Sequence, residues 1–204
     1  MKIAIVGAGN VGKALGGAWK AATHDVTYAL REGSDKAKQL SKDGFAIAGM
    51  ADAAKAADVI VLAVPFTEIA PVIEALGPLK GKIVIDATNP VSPELEIELG
   101  FDDSAGETVA LLAQGARVVK AFNTTGAENM AKAKDFPAKP VMFVAGDDAD
   151  AKKAVQKLAD EIGFEAIDAG PLKASRYLEP MAMQWIKLAF GGTGTKFAFA
   201  LVRR

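Results

Sequence analysis

The segment Gly7-Ala8-Gly9-Asn10-Val11-Gly12 limits what this chain can fold into. It follows the short apolar run Ile3-Ala4-Ile5-Val6 without a break. It opens a stretch in which Val11, Leu15, Ala18, Trp19 and Ala22 recur at helical spacing. Three glycines so spaced between a strand and a helix each have a use. Gly7 permits a tight turn, Gly9 lets bare backbone approach a diphosphate, and Gly12 lets the helix pack closely on the strand. The diphosphate would rest on N–H groups at a helix start, where the helix dipole favours negative charge. Residues Gly7, Ala8, Gly9, Asn10, Val11 and Gly12 are therefore the expected cradle of a dinucleotide.

The rest of the chain repeats the same alternation. Apolar runs rich in β-branched residues fall at 26–30, 45–47, 59–64, 83–85, 118–119, 141–144 and 166–167. They do not alternate with polar residues, so both faces of each strand should be buried, as in a parallel sheet. Between them lie helical patterns such as Ala151, Ala154, Val155, Leu158 and Ile162. The expectation is an α/β fold, a doubly wound Rossmann-type and mostly parallel sheet with helices on both faces. The pattern changes after Pro171. A helix over about 175–190 leads into a glycine-rich turn and the tail Phe197-Ala198-Phe199. Residues 1–170 read as the nucleotide-binding domain. Residues 171–204 read as a C-terminal helical extension and not an independent domain. The apolar tail either packs on a partner subunit or folds back on its own sheet.

Composition removes whole classes of function. The 204 residues include 24 Lys and Arg against 25 Asp and Glu, a formal net charge of −1. A general nucleic-acid binder needs a basic surplus, so no nucleic-acid partner is expected. Without cysteine there is no thiolate chemistry, and with His24 the one histidine there is no multi-histidine metal site. The apolar stretch from Ala56 to Phe66 is interrupted by Asp58 and is about half the roughly 20 residues of a membrane span. No leader pattern precedes the first strand. A cytoplasmic protein without a membrane partner is the expectation.

The end of the second strand separates NAD from NADP. An acidic residue there would bind the ribose 2′-hydroxyl of NAD, whereas Arg31 stands here and can fork onto a 2′-phosphate. Glu32 beside it argues the other way. Ser34 and Lys36 follow closely enough to add donors, or simply form a polar helix face. In this fold class ligands bind beyond the carboxyl ends of the strands. Val64, Pro65 and Phe66 form one such end, Asn89 and Pro90 another. Asn123 and Thr125, beyond the sixth strand, suit orientation of a planar heterocycle. General acid–base machinery is missing. His24 sits between the first helix and second strand, at the wrong end of the sheet. Lys187 reads more simply as a surface lysine. A carbonyl reductase must protonate an alkoxide. An acceptor that spreads charge over its own ring needs mainly orientation.

Taken together, these motifs resemble the coenzyme F420-dependent NADP oxidoreductases, and more distantly the reductase domain of the six-transmembrane ferric reductases. The resemblance rests on residues 5–13, on Asp58-Val59-Ile60-Val61-Leu62-Ala63-Val64-Pro65, on Val144-Ala145-Gly146-Asp147-Asp148, and on Asp168-Ala169-Gly170-Pro171-Leu172 with Ser175, Arg176 and Glu179. It implies hydride exchange between NADP(H) and the deazaflavin F420, or another flavin-like ring, stacked in one cleft. By position it implies Arg31 at the 2′-phosphate, Val64, Pro65, Asn89 and Pro90 at the nicotinamide ribose, Arg176 near the acceptor, and Asn123 and Thr125 facing its ring. It also implies a homodimer. Where the archaeal enzymes carry His-Thr-Ile-Pro this chain has Asn123-Thr124-Thr125-Gly126. Two other readings fit the residues: an NADP(H)-dependent reductase of a small carbonyl or imine using Lys187 or Tyr177 as acid, and a nucleotide-binding sensor without turnover.

Overall fold

The computed structural model describes residues 1–30 and 33–204. The apolar runs form a single sheet from β1 (Lys2–Val6), β2 (Asp25–Ala29), β3 (Ala46–Ala48), β4 (Val59–Leu62), β5 (Ile83–Asp86), β6 (Arg117–Lys120), β7 (Val141–Gly146) and β8 (Glu165–Gly170). Their order is β3-β2-β1-β4-β5-β6-β7-β8. Neighbours run parallel except β6 and β7, which are antiparallel. The order reverses between β1 and β4, so the crevice beyond their carboxyl ends is where a ligand fits in such sheets.

Helices cover both faces: α1 (Asn10–Ala21), α2 (Asp35–Lys42), α3 (Met50–Ala56), α4 (Ile69–Leu76), α5 (Ala105–Leu112), α6 (Ala127–Ala131), α7 (Ala149–Glu161) and α8 (Ser175–Leu188). The absence of polar alternation in the strands now has its cause. Ile3, Ile5, Val61, Ile85 and Val119 pack against Leu15 and Trp19 of α1 and Val155 and Leu158 of α7. Ala4, Val6, Ile60, Leu62 and Val84 pack on the other face against Ala53 of α3, Ile69 and Ile73 of α4 and Val109 of α5. Each fully buried aliphatic side chain contributes about 1.5–3 kcal/mol.

Some boundaries differ from the sequence reading. β4 ends at Leu62, two residues early, because the chain must turn before Pro65, which has no N–H for the ladder. β2 ends at Ala29, although the Leu30 N–H still reaches the Ala48 carbonyl at 3.0 Å. The late helix is α-helical to Leu188 and then widens into a π-helical turn, Ala189–Thr193. The tail folds back. The Val141 N–H donates to the Phe199 carbonyl at 2.8 Å, Trp185 Nε1 donates to the Phe197 carbonyl at 2.9 Å, and the Trp185 and Phe197 rings stack 5.2 Å apart. Among the described residues no helix is long and apolar enough to cross a membrane.

Candidate functional site

The glycine loop is held from both sides. Gly7 has φ +111°, and a Cβ there would lie 2.2 Å from the Ala63 carbonyl oxygen. A Cβ on Gly12 would lie 2.0 Å from the Gly7 carbonyl oxygen, so α1 can start this close to β1 only with glycine there. Gly9 differs: a Cβ there meets nothing within 4 Å, so the space above it is open. Gly9 is the N-cap of α1, provides no side-chain cap, and is followed by a first turn without acidic residues. Helix-start N–H groups lack intrahelical partners. This start therefore presents unopposed positive dipole to the crevice. Ala8 is buried, Val11 half-buried and Asn10 exposed. From β2, the Tyr28 hydroxyl donates to the Gly12 carbonyl at 2.9 Å, and burial pushes the phenol up to about 12. A cavity of about 520 Å³ opens beside the same helix start, lined by Asn10, Lys13, Gly126, Trp185 and Phe190.

Arg31 and its neighbour Glu32 lie outside the described residues. Just beyond them, Ser34 is the N-cap of α2, its Oγ accepting from the Ala37 N–H at 3.3 Å. Its hydroxyl therefore serves the helix first. Lys36 is exposed in the first turn of α2.

Across the crevice, Val64 and Phe66 are half-buried and Pro65 is exposed. Asn89 is half-buried and Pro90 buried. Asn89 and Asn123 clasp one another. Asn89 Nδ2 donates to the Asn123 carbonyl at 3.0 Å, and Asn123 Nδ2 donates to Asn89 Oδ1 and to the Leu178 carbonyl, each at 3.1 Å. The clasp joins the β5 loop, the end of β6 and α8. Phe122, just before it, holds a left-handed φ of +61° while fully buried. Non-glycine residues pay for that conformation and tend to hold it near functional sites. Thr125 Oγ1 accepts from Asn129 Nδ2 at 3.1 Å.

Arg176 is held by an ion pair at the start of α8. Its Nε and Nη2 fork onto Glu107 at 2.7 and 2.8 Å, and Nη1 reaches the Phe101 carbonyl at 3.4 Å. The guanidinium holds the Glu107 carboxyl below its usual range. Arg176 thus ties α8 to α5, while Asn123 and Thr125 meet other partners. Of the residues weighed as acids, two have carboxylate partners and the third is exposed. His24 Nε2 lies 2.6 Å from Glu161, Lys187 Nζ lies 2.6 Å from Glu96, and Tyr177 is 69% exposed.

Sequence reasoning missed a buried cluster directly under this edge. Lys120 Nζ lies 2.9 Å from Asp86 Oδ2 and 2.7 Å from Glu179 Oε1, all three side chains being 0% exposed. It also donates to the Thr88 carbonyl at 2.7 Å. Burial, the largest influence, pushes the Glu179 carboxyl up, while Lys120 and the Ala105 N–H pull it back. One signal was available: two continuous apolar strands each end on a charge, and Asp86 and Lys120 are register partners.

A doubly wound sheet with a three-glycine loop opening onto an uncapped helix is the Rossmann-type dinucleotide-binding class. Residues 2–90 match the family described as NADP oxidoreductase, coenzyme F420-dependent. An F420-dependent NADP reductase of Methanothermobacter thermautotrophicus is 32% identical over 208 residues, covering 92% of this chain and 89% of that protein. A solved structure from Arthrobacter sp. FB24, described as a candidate F420-dependent NADP-reductase, superposes with TM-score 0.89 at 29% identity over 100% of both chains. The metalloreductase STEAP3 of Rattus norvegicus is 32% identical over 106 residues, 52% of this chain and 21% of that protein. This chain belongs to the F420-dependent NADP oxidoreductase family.

Proposed function

We propose that the chain is an oxidoreductase moving hydride between NADP(H) and the deazaflavin F420, or a flavin-like ring in its place. The carrying observation is the helix start at Gly9: open above, uncapped, free of acids, and preceded by a Gly7 packed closely against Ala63. That donor set fits a diphosphate. Gly7 to Gly12 would hold it, and Arg31, with Ser34 and Lys36 alongside, would hold the 2′-phosphate. Val64, Pro65, Phe66, Asn89 and Pro90 would wall the nicotinamide and its ribose. Asn123 and Thr125 would face the acceptor ring, with Arg176, held in place by Glu107, near it.

When bound, NADPH supplies the hydride and its electron pair. The protein's task is then to align two rings and keep water from the reacting carbons. A ring that delocalises the arriving charge can take its proton from solvent. This suits a protein in which His24 is paired with Glu161 and Lys187 with Glu96. We also read the protein as a cytoplasmic homodimer in which residues 171–204 extend the nucleotide-binding domain. The test is loss of NADPH absorbance with F420, FMN, riboflavin or a small ketone offered in turn. Turnover with a ring acceptor is expected, and turnover confined to the ketone would overturn the reading.

A further inference from the structure

Directly beneath the loop Thr88-Asn89-Pro90 lie charges that the hydride step leaves unused. Lys120 faces two carboxylates, Asp86 at 2.9 Å and Glu179 at 2.7 Å, and all three are sealed from water. The remaining partners are donors as well. Asp86 Oδ1 accepts from the Thr88 N–H at 2.9 Å and the Thr88 hydroxyl at 2.8 Å. Glu179 accepts from the Ala105 N–H at 2.9 Å and the Gly106 N–H at 3.1 Å, at the start of α5. Burial works against the Glu179 charge, but both of its oxygens accept from donors, namely Lys120 and the Ala105 and Gly106 N–H groups. None of its partners among the described residues is an acceptor, an arrangement that suits the ionised form. With both carboxylates ionised, one ammonium leaves a surplus negative charge.

We propose that this buried cluster sets the charge felt by the nicotinamide ring and biases bound coenzyme toward its oxidised, cationic form. The inference rests on the NADP(H) reading above. Loss of hydride from the ring of NADPH takes it from neutral to a charge of +1, and the hydride with its electron pair passes to the acceptor. The diphosphate and 2′-phosphate are the same in both forms, so their contacts cancel in the ratio of the two dissociation constants. Only the ring environment remains in that ratio. Lys120 holds Thr88 by its carbonyl, and the next residue, Asn89, begins the wall assigned to the nicotinamide ribose. Buried charges at that remove escape salt screening. The start of α5 offsets part of the Glu179 charge. Removing one buried charge is expected to change the ratio roughly three- to tenfold.

The experiment is calorimetric titration of the full chain with NADP+ and, separately, with NADPH, for wild type, Glu179→Gln and Asp86→Asn. Thermal unfolding reports whether each variant is folded, and Asp86→Asn decides the matter should Glu179→Gln not fold. Either folded variant should raise the NADP+ to NADPH ratio of dissociation constants about three- to tenfold. A cluster that merely braces the fold would weaken both ligands together. An unchanged ratio in folded variants overturns the proposal and leaves NADP(H) binding standing. Absence of heat from either coenzyme in wild type overturns the NADP(H) reading and this inference with it.

Discussion

At Gly12 a single methyl group has nowhere to go, since its carbon would sit 2.0 Å from the Gly7 carbonyl oxygen. Gly12→Ala should push α1 off β1. The expected cost is about 1–3 kcal/mol of stability, seen in denaturant unfolding, with NADPH affinity falling roughly tenfold or more as the helix start is displaced. Arg31→Ala should raise the NADPH dissociation constant about 10- to 100-fold, because a charge-assisted fork is worth about 1.5–3 kcal/mol. NADH affinity should stay the same, and equal losses for both nucleotides would contradict a 2′-phosphate role. The turn at Gly7 and the approach of Gly12 to Gly7 could be read from sequence because they act over a few residues, whereas the approach of Gly7 to Ala63 could not. The Asn123 clasp could not, because its partners Asn89 and Leu178 lie 34 and 55 residues away.

Strands and helices here are joined by polar contacts whose pH dependence can be signed. Tyr28 ties β2 to α1, and its phenol is raised to about 12 from 10.0 by burial. A raised value means the folded state keeps its proton longer. The stability it contributes is whole below pH 10.0 and is lost as pH rises toward about 12. Two units correspond to about 2–3 kcal/mol, so Tyr28→Phe should flatten the alkaline limb of a stability–pH curve. The Glu107–Arg176 pair behaves oppositely. Its carboxyl is lowered, chiefly by the Arg176 hydrogen bond, so its contribution is present above the ordinary carboxylate value of 4.5 and fades as pH falls through the depressed one. Arg176→Met should therefore narrow the difference between neutral and acid urea midpoints. Strand identity was readable because continuous apolar runs have few other uses in a chain of this size. Strand ends were not, because the turn before Pro65 and the Leu30–Ala48 bond depend on neighbours across the sheet.

Across the whole molecule, β1 and β4 part at one edge, and the glycine loop, the Asn89–Asn123 clasp and the buried Lys120 cluster lie along it. The doubly wound, mostly parallel sheet followed from the strand–helix alternation, whereas the order of its strands and the antiparallel β6–β7 pair did not. Charges from β5, β6 and α8 meeting at one point did not, since no local pattern announces a contact among Asp86, Lys120 and Glu179. A ligand bound only by the folded state stabilises it. NADP+ at a hundredfold excess over its dissociation constant should add about 2.7 kcal/mol, or roughly 5–10 °C in Tm for a chain of this length. The most direct measurement is calorimetric titration of the wild-type chain with NADPH and, in parallel, NADH. Saturable heat with NADPH, and binding of NADH weaker by about tenfold or more, is the expected result. No heat from either coenzyme would contradict the account at its root.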